Sequence, residues 1–300
     1  MRQLAEPPDS VAAGVVAFGH SGKPTAALPL SLTGVTRVPR TWREQWEAIE
    51  SRLSSPRPIL LALGLDGILW HETSATSGNS GVPEDTRALL LKLAASPRLR
   101  LGLLSGRPLH LLQKLIGIPN AYYAGNSGME VRGPGLSSSD GIAVSCRSDL
   151  VDALTCLARC TKGLRGVFIE DKKLSISVHW RAGDLGEEAT LRELMGAIVQ
   201  AHPRLKLFAP RGCFELRPRA SWNQREALAQ ITAHAGISPA DAIYMGDELT
   251  EDEAIAPDHV GLTLSVGNTP DACKFRLPHV EAAGQILFCV LCAISGMPPK

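Results

Sequence analysis

The stretch LALGLDGILW, residues 61–70, places one acidic side chain directly after an apolar run. The run 59–65 predicts a strand buried on both faces, as strands of parallel sheets are. In such sheets the groups that bind or react lie in loops after the carboxyl ends of the strands. Asp66-Gly67 would occupy one of these loops. Asp66 is therefore the first candidate for an acid, a base or a metal ligand.

The segments on both sides of this run alternate between strand and helix patterns, which predicts an α/β fold with a mainly parallel sheet. A helix over 42–53 precedes the run, whereas residues 1–40 show no sustained periodicity and receive no function. The further predicted strands are 99–104, 122–124, 242–245 and 261–266, and the further predicted helices are 84–95, 108–116, 223–235 and 281–294.

The middle of the chain, 135–218, departs from this order and predicts a helix, a strand pair, a second helix and a second strand pair. Its segment 174–181 alternates strictly. One face carries Leu174, Ile176, Val178 and Trp180, and the other carries Ser175, Ser177, His179 and Arg181. Residues 213–217 repeat the alternation, with Glu215 and Arg217 on the polar side. Such a face either meets water or suits a sugar's hydroxyl groups, in which case the unit closes over the core as a lid.

The length of the chain and its balance of charged residues limit the class of protein. Three hundred residues suit a core with a smaller inserted domain. Lys and Arg number 31 against 30 Asp and Glu, and no basic stripe with interleaved aromatics is present, so we expect no nucleic-acid partner. The sequence has no secretory signal pattern and no apolar run of about eighteen residues, so we expect a soluble, cytoplasmic protein without a membrane partner.

The seven cysteines are scattered along the chain. Two close pairs, Cys156 with Cys160 and Cys289 with Cys292, lack the second matching pair that a zinc site requires. We therefore expect buried, reduced thiols.

Five further blocks of sequence follow the stretch 61–70. They are LLSGRP (103–108), AGNSGME (124–130), EDKKLSISVHWR (170–181), FELRP (214–218) and YMGDELTEDEA (244–254). With these blocks in this order, the chain resembles the trehalose-6-phosphate phosphatase family of the haloacid dehalogenase superfamily. The resemblance implies a Rossmann-like core with a parallel sheet and an inserted α+β cap. It divides the chain into an N-terminal arm and helix at 1–56, a core at 57–134 and 219–296, and a sugar-recognition cap at 135–218.

In that family an aspartate attacks the phosphorus, and the aspartate two residues later protonates the departing sugar oxygen and then activates water. Gly64 stands at the attacking position and Asp66 at the general acid/base position. Two further departures are Ile68, where the family has Thr, and Gln224, where it has the phosphate-binding Lys. The residues that match the family's Mg²⁺ site are Asp66, Asp247 and Glu251, so one carboxylate ligand is missing and the site is weakened.

The resemblance also implies a set of binding residues. Those that match the phosphate site are Ser105, Gly106 and Gln224. Those that match positions around the sugar are Arg107, Asn126, Glu130, Lys172, His179, Arg181, Glu215 and Arg217.

The missing nucleophile is the largest departure. Removing the nucleophile of a well-studied protease lowers turnover by roughly a millionfold, or about 8 kcal/mol. Asp66 is a poor substitute, because two residues of extended chain displace a side chain by about 7 Å, whereas attack requires an approach to about 3 to 3.5 Å.

Three functions remain open. The first is a pseudoenzyme that binds trehalose 6-phosphate or a related sugar phosphate without hydrolysing it. The second is an active phosphatase that yields trehalose and phosphate through an unidentified carboxylate or a metal-bound hydroxide. The third is a non-catalytic structural partner of a trehalose-pathway enzyme.

Overall fold

The computed structural model describes residues 43–66, 68–69, 82–180, 185–209, 212–220, 223–246, 260–266, 275–277 and 280–296. The strands in these ranges are β1 (Ile59–Gly64), β2 (Leu99–Leu104), β3 (Tyr122–Gly125), β4 (Glu130–Gly133), β5 (Leu136–Ser139), β6 (Phe168–Asp171), β7 (Ile176–His179), β8 (Leu205–Phe208), β9 (Cys213–Pro218), β10 (Ala242–Gly246), β11 (Leu262–Val266) and β12 (Phe275–Leu277). The helices are α1 (Arg43–Leu53), α2 (Glu84–Ala94), α3 (Leu109–Ile116), α4 (Gly141–Ser145), α5 (Arg147–Cys160), α6 (Leu185–Ala201), α7 (Gln224–Ala235) and α8 (Val280–Ile294).

The larger sheet contains eight of the described strands, in the order β12-β11-β10-β1-β2-β3-β4-β5. Its strands run parallel from β12 to β3, and β4 and β5 add an antiparallel hairpin at one edge. Helices α1, α2, α3 and α8 pack on one face, and α7 packs on the other. The predicted α/β fold with a mainly parallel sheet is therefore confirmed.

The strand β1 lies at the centre of this sheet, and all six of its residues are buried. Leu61 and Leu63 pack into the cluster formed with α2 and α8, whereas Leu60 and Ala62 pack against α7. Each fully buried leucine contributes about 1.5 to 3 kcal/mol of hydrophobic stabilisation. An apolar run without alternation thus produces a strand that is covered on both faces.

Helix α8 is strongly apolar because it packs inside the core. Its residues Ile286, Leu287 and Val290 are buried against the cluster that includes α1 and α2. None of the helices that the structure describes combines the length and apolar character needed to cross a bilayer.

A second sheet has four antiparallel strands in the order β6-β7-β9-β8. Its apolar face packs on α5 and α6 through Ile176, Val178, Phe214 and Leu216. The Trp180 and Phe214 rings stack with their centroids 4.6 Å apart. The predicted alternation over 174–181 and 213–217 is confirmed for the described residues, and the polar face lies opposite these helices.

The hairpin strand β5 belongs to the larger sheet, although the expected cap begins at residue 135. The Gln230 side chain of α7 donates a hydrogen bond to Ser138 Oγ (3.1 Å), and His234 Nε2 donates one to the Pro134 carbonyl oxygen (3.0 Å). Residues 136–139 therefore group with the core sheet. The rest of the division into arm, core and cap stays a prediction, and residues 1–42 of the arm lie outside the described residues.

Candidate functional site

Three predicted site residues, Asp66, Ser105 and Arg107, meet at the carboxyl edge of the larger sheet. Gly64 at the end of β1 is in register with Leu104 at the end of β2, so the residues that follow the two strands lie close together. The Ser105 hydroxyl donates to Asp66 Oδ2 (3.2 Å), and the Arg107 guanidinium donates to Asp66 Oδ1 (2.8 Å). The Asp66 side chain is 47% exposed, so this hydrogen-bonded carboxylate is open to a ligand.

The turn from Ser105 to Arg107 is fixed by hydrogen bonds. The Arg107 N–H donates to Ser105 Oγ (3.1 Å), and the Ser105 N–H donates to the Ala124 carbonyl oxygen of β3 (3.0 Å). The N–H groups of Asn126 and Ser127 donate to the carbonyl oxygens of Arg107 and Ser105, at 2.7 and 3.0 Å. Helix α3 begins shortly after this turn. Ser105 and Gly106 thus lie on a strand-to-helix turn as expected, and their role in binding phosphate stays a prediction.

A turn with left-handed backbone follows β3. The φ angles of Asn126, Ser127 and Gly128 are 48°, 54° and 95°. A Cβ atom at Gly128 would overlap the carbonyl oxygen of Asn223, so only glycine permits this approach. The contact holds the start of α7 against the turn. Gln224, the first residue of α7, therefore lies close to the carboxyl edge.

The described atoms nearest to a side chain at position 64 belong to uncharged residues. A Cβ atom built at this position would lie 3.4 Å from Gly246 Cα and 3.8 Å from Tyr244 Oη. The Tyr244 hydroxyl donates to Gln224 Oε1 (3.4 Å), and Gln224 is buried. Two of the three positions at which the sequence departs from the resembled family, 64 and 224, thus share the Tyr244 hydroxyl as a neighbour.

The buried side chain of Asn126 connects the larger sheet to the four-stranded sheet β6-β7-β9-β8, which we call the cap sheet. Its Nδ2 donates to Glu130 Oε2 (2.6 Å) and to the carbonyl oxygen of Lys172 (3.3 Å). The same Glu130 oxygen accepts from the Leu109 N–H at the first turn of α3 (3.3 Å). The structure therefore brings together Asn126, Glu130 and Lys172, which the sequence predicted as binding residues.

A buried charged cluster lies on the polar face of the cap sheet. Glu215 is 5% exposed and accepts hydrogen bonds from Ser175 (2.7 Å), Lys172 (3.3 Å) and Arg217 (2.8 Å). The Arg217 guanidinium also stacks on the Phe208 ring, 4.3 Å from its centroid. Burial alone would raise the pKa of Glu215, but the charges of Lys172 and Arg217 and the hydrogen bonds lower it to about 2. We name these four residues, Lys172, Ser175, Glu215 and Arg217, the Glu215 cluster.

His179 lies on the same polar face. It is paired across the sheet with Cys213, and its Nε2 lies 3.7 Å from Glu170 Oε2. The hydrogen bond with Cys213 and the neighbouring Glu170 carboxylate raise the pKa of His179 to about 9, against the effect of partial burial. At neutral pH the imidazole is therefore protonated.

The protonation of His179 predicts a pH-dependent stability. Because its folded pKa lies above the ordinary value of about 6.5, its stabilising contribution is complete below that value and disappears as the pH rises through about 9. The difference in unfolding free energy between the natural chain and His179→Gln, measured by urea titration, should therefore shrink from about pH 6 to about pH 10. The matched control is His110→Gln, which removes an imidazole from an exposed position of α3. A His179→Gln difference that is constant over this range would contradict the prediction.

Several predicted residues lie outside the described residues: Arg181, Asp247 and Glu251. Sequence reasoning gave no role to Tyr244 or Cys213, although both lie within or beside the quoted blocks. The alternation along β10 could have found Tyr244, since it places this side chain on the α7 face with Ala62. The expectation of buried thiols was wrong for part of the set, because Cys160 is exposed and Cys156 and Cys213 are half-buried.

The described residues do not by themselves fit a magnesium site. They contain no group of three or more His, Cys, Asp or Glu side chains that could hold a metal ion. Of the three expected ligands, Asp66 alone falls in the described part of the chain, and its two oxygens accept from Ser105 and Arg107.

The family model described as trehalose-phosphatase matches residues 65–263, about two thirds of the chain, and its match begins one residue after Gly64. A trehalose-phosphate phosphatase of Mycobacterium tuberculosis is 28% identical over 242 residues, which cover 74% of this chain and 61% of that protein. The chain spans about half the length of the curated relatives it matches.

Two solved structures share the fold. The C-terminal domain of Candida albicans trehalose-6-phosphate phosphatase aligns with a TM-score of 0.65 at 17% identity, over 84% of this chain and 96% of that one. The C-terminal domain of the Candida albicans trehalose synthase regulatory protein aligns with a TM-score of 0.59 at 17% identity, over 82% and 97%.

The mainly parallel sheet with a separate antiparallel sheet is also the fold of a haloacid dehalogenase-like hydrolase from Bacteroides thetaiotaomicron, which aligns with a TM-score of 0.58 at 14% identity, over 78% of this chain and 98% of that one. The chain belongs to the trehalose-phosphatase family.

Proposed function

We propose that this protein binds trehalose 6-phosphate or a closely related sugar phosphate and does not hydrolyse it at an ordinary enzymatic rate. The observation that carries the proposal is Gly64, which ends the central strand without a side chain at the edge where Asp66, Ser105 and Arg107 converge. An in-line attack on phosphorus needs an oxygen within about 3 to 3.5 Å of it. Glycine offers none.

The hydrogen bonds of Asp66 argue against its use as a replacement nucleophile. Arg107 and Ser105 hold its two oxygens. These bonds suit a group that stays in place and exchanges a proton with a substrate oxygen, which is the general acid/base role that we assign to Asp66. Because position 64 supplies no attacking group, the bond between phosphorus and the sugar oxygen is not broken. Asp66 then has no departing oxygen to protonate.

The organised charges on the polar cap face support retained sugar binding. The buried Glu215 carboxylate holds Lys172 and Arg217 in place, and the side chains of these two residues are 12% and 13% exposed. A lysine ammonium has three N–H donors, and one of those of Lys172 bonds Glu215. We assign the Glu215 cluster, with Asn126, Glu130, His179 and Arg181, to the sugar, and Ser105, Gly106, Arg107 and Gln224 to the phosphate.

We propose that this protein binds Mg²⁺ only weakly. Asp66, Asp247 and Glu251 are the residues that would hold the ion, which would screen the phosphate charge. We assign no step to the metal, because the described residues supply only Asp66 of this set. A cytoplasmic location likewise remains a prediction from the sequence.

A second candidate, a non-catalytic partner of a trehalose-pathway enzyme, has support from one likeness. The fold is shared with a domain that belongs to a regulatory protein of a trehalose synthase. At 17% identity this likeness concerns the fold alone, so ligand binding is the property that separates the two candidates.

The proposal predicts stabilisation without turnover. Trehalose 6-phosphate at about one hundred times its dissociation constant should raise the unfolding free energy by about 2.7 kcal/mol, whereas trehalose or inorganic phosphate alone should raise it less. Arg107→Gln should weaken the binding of trehalose 6-phosphate about tenfold or more, because a hydrogen bond to a charged group is lost. Glu188→Gln, on the exposed side of α6, is the matched control and should leave the binding unchanged.

Two outcomes of this measurement would contradict the proposal. Phosphate release by the natural chain at about 10 s⁻¹, an ordinary enzyme rate, would show an active phosphatase. Absence of both stabilisation and release would favour the structural partner.

A further inference from the structure

Three reactive side chains lie next to one another on the polar face of the cap sheet, each on a different strand. Cys213 begins β9 and is the direct cross-strand partner of His179 at the end of β7. Glu170 of β6 approaches the far side of the imidazole, with 3.7 Å between its Oε2 and His179 Nε2. The order thiol, imidazole, carboxylate is the arrangement that activates a cysteine as a nucleophile. We call these residues the Cys213 triad.

All three members of the Cys213 triad are accessible from solvent. The side chains of His179 and Glu170 are 38% and 33% exposed, and Cys213 is half-buried. The Phe168 ring is the other cross-strand neighbour of the imidazole, with 6.2 Å between the ring centroids. A small reagent can therefore reach this face of the sheet.

The positive charge on the His179 imidazole increases the reactivity of the Cys213 sulfur. The pKa of His179 is raised to about 9 by its hydrogen bond with Cys213 and by Glu170. The pKa of Glu170 is lowered: burial would raise it, but contact with His179 and the charges of Lys172 and Arg107 prevail. The Cys213 sulfur is thus the cross-strand neighbour of a cationic imidazole, and a neighbouring cation favours the thiolate, which is the nucleophilic form of cysteine.

We propose that Cys213 is a site of covalent modification by low-molecular-mass disulfides, with His179 as the positioning residue that stabilises the attacking thiolate. In the reaction the Cys213 thiolate attacks one sulfur of the small disulfide. A new S–S bond forms, the original S–S bond breaks, and the second half of the reagent leaves as a thiolate that takes up a proton from water. The small disulfide is the oxidant, and the reaction needs no other reactant.

The other described cysteines lack this environment. Burial raises the pKa of Cys289 to about 11 and also raises the pKa of Cys292. Burial and the neighbouring Cys160 raise the pKa of Cys156, whose Sγ lies 4.0 Å from Cys160 Sγ. Cys160 is exposed on α5, so it serves as an internal reference of good access.

Modification would also affect the candidate sugar site, a consequence that rests on the proposed function. Cys213 and Glu215 are two residues apart on β9 and therefore lie on the same face of the sheet. An adduct on Cys213 would thus extend over the Glu215 cluster and weaken sugar-phosphate binding. The modification itself does not depend on any sugar phosphate, so the two proposals can fail separately.

The test uses the full chain and bis(2-hydroxyethyl) disulfide, an uncharged reagent, with peptide mass spectrometry to follow each cysteine. At about pH 6.5 roughly one in a hundred ordinary cysteine thiols is ionised. The imidazolium beside Cys213 stabilises the negative charge on the attacking sulfur, so Cys213 should react about tenfold faster than Cys160.

The control variant is His179→Gln. It should lower the rate at Cys213 to about that of Cys160 and leave the rate at Cys160 itself unchanged, which also reports that α5 remains folded. Equal rates at Cys213 and Cys160 in the natural chain at about pH 6.5 would overturn the proposal. An equal rate at Cys213 in the natural chain and in His179→Gln would also overturn it. If the modified protein keeps its affinity for trehalose 6-phosphate, only the consequence for sugar binding fails.

Discussion

The triple variant Gly64→Asp, Ile68→Thr, Gln224→Lys should release phosphate from trehalose 6-phosphate at about 1 s⁻¹ or faster, at least ten-thousandfold above the natural chain. The aspartate restores the attacking carboxylate, which is worth about 8 kcal/mol by analogy with other nucleophiles. The lysine and threonine restore contacts to the phosphoryl oxygens, worth a few kcal/mol more. Release of inorganic phosphate, followed at saturating substrate, measures the effect.

The described geometry accepts the substitutions at positions 64 and 224. A Cβ atom at position 64 meets its nearest neighbour at 3.4 Å, which is ordinary contact, and the backbone there needs no left-handed conformation. The Tyr244 hydroxyl, 3.8 Å from that Cβ, can donate to a new carboxylate. Gln224 is the first residue of α7 and lies beside the turn after β3. The side chain of a lysine at this position would therefore extend from the carboxyl edge of the larger sheet.

Matched controls separate chemistry from packing. Gly64→Asn in the same background has the size of aspartate without its nucleophilic oxygen and should stay inactive. Ile68 is 2% exposed, so Ile68→Thr places a hydroxyl in the core, and a urea titration of each variant checks that it is folded. Equal activity of the asparagine and aspartate variants would refute the assignment of position 64, and so would rapid release by the natural chain.

Glu215→Gln should lower the unfolding free energy by about 3 to 5 kcal/mol, the largest stability change that we expect from one substitution. The side chains of Lys172 and Arg217 are only 12% and 13% exposed, so both would remain buried without their common anion. Urea unfolding followed by circular dichroism measures the loss. Since the pKa of Glu215 lies near 2, the difference from the natural chain should be constant from about pH 7 to about pH 5 and should shrink as the pH falls toward 2.

The control for this prediction is Glu188→Gln. Glu188 accepts from Arg192 one turn later on α6 at 2.9 Å, a distance like that between Arg217 and Glu215, but the side chains are 35% and 56% exposed. Exposed pairs of this kind contribute about 0.3 to 0.5 kcal/mol. If the two variants lose equal stability, burial does not govern the strength of the Glu215 cluster.

The sequence predicts the sheet and the position of Asp66 because both depend on local pattern. The apolar run 59–65 identifies a strand buried on both faces, and a carboxylate after it must lie at the carboxyl edge. The alternation of Ile176 and Val178 with Ser177 and His179 likewise identifies the two faces of β7.

Other features depend on tertiary contacts that a local pattern does not contain. Strand β5 has the sequence LSSS, which shows no alternation of apolar and polar residues, and pairing with β4 makes it a strand. Ser175 and Ser177 alternate as polar residues should, yet other elements cover them almost completely. The cross-strand pair of His179 with Cys213 joins residues more than thirty positions apart, and the register of β7 with β9 decides it.

In the proposed complex, the hydrogen bond from Asn126 to the carbonyl oxygen of Lys172 would link the phosphate end of the ligand to the sugar end. The turn that contains Asn126 also bonds Arg107 and Ser105 through its backbone. Thermodynamic linkage requires any coupling between the two ends to be reciprocal. If an occupied phosphate site raised the affinity of the cap for a sugar by some factor, an occupied cap would raise the affinity for phosphate by the same factor.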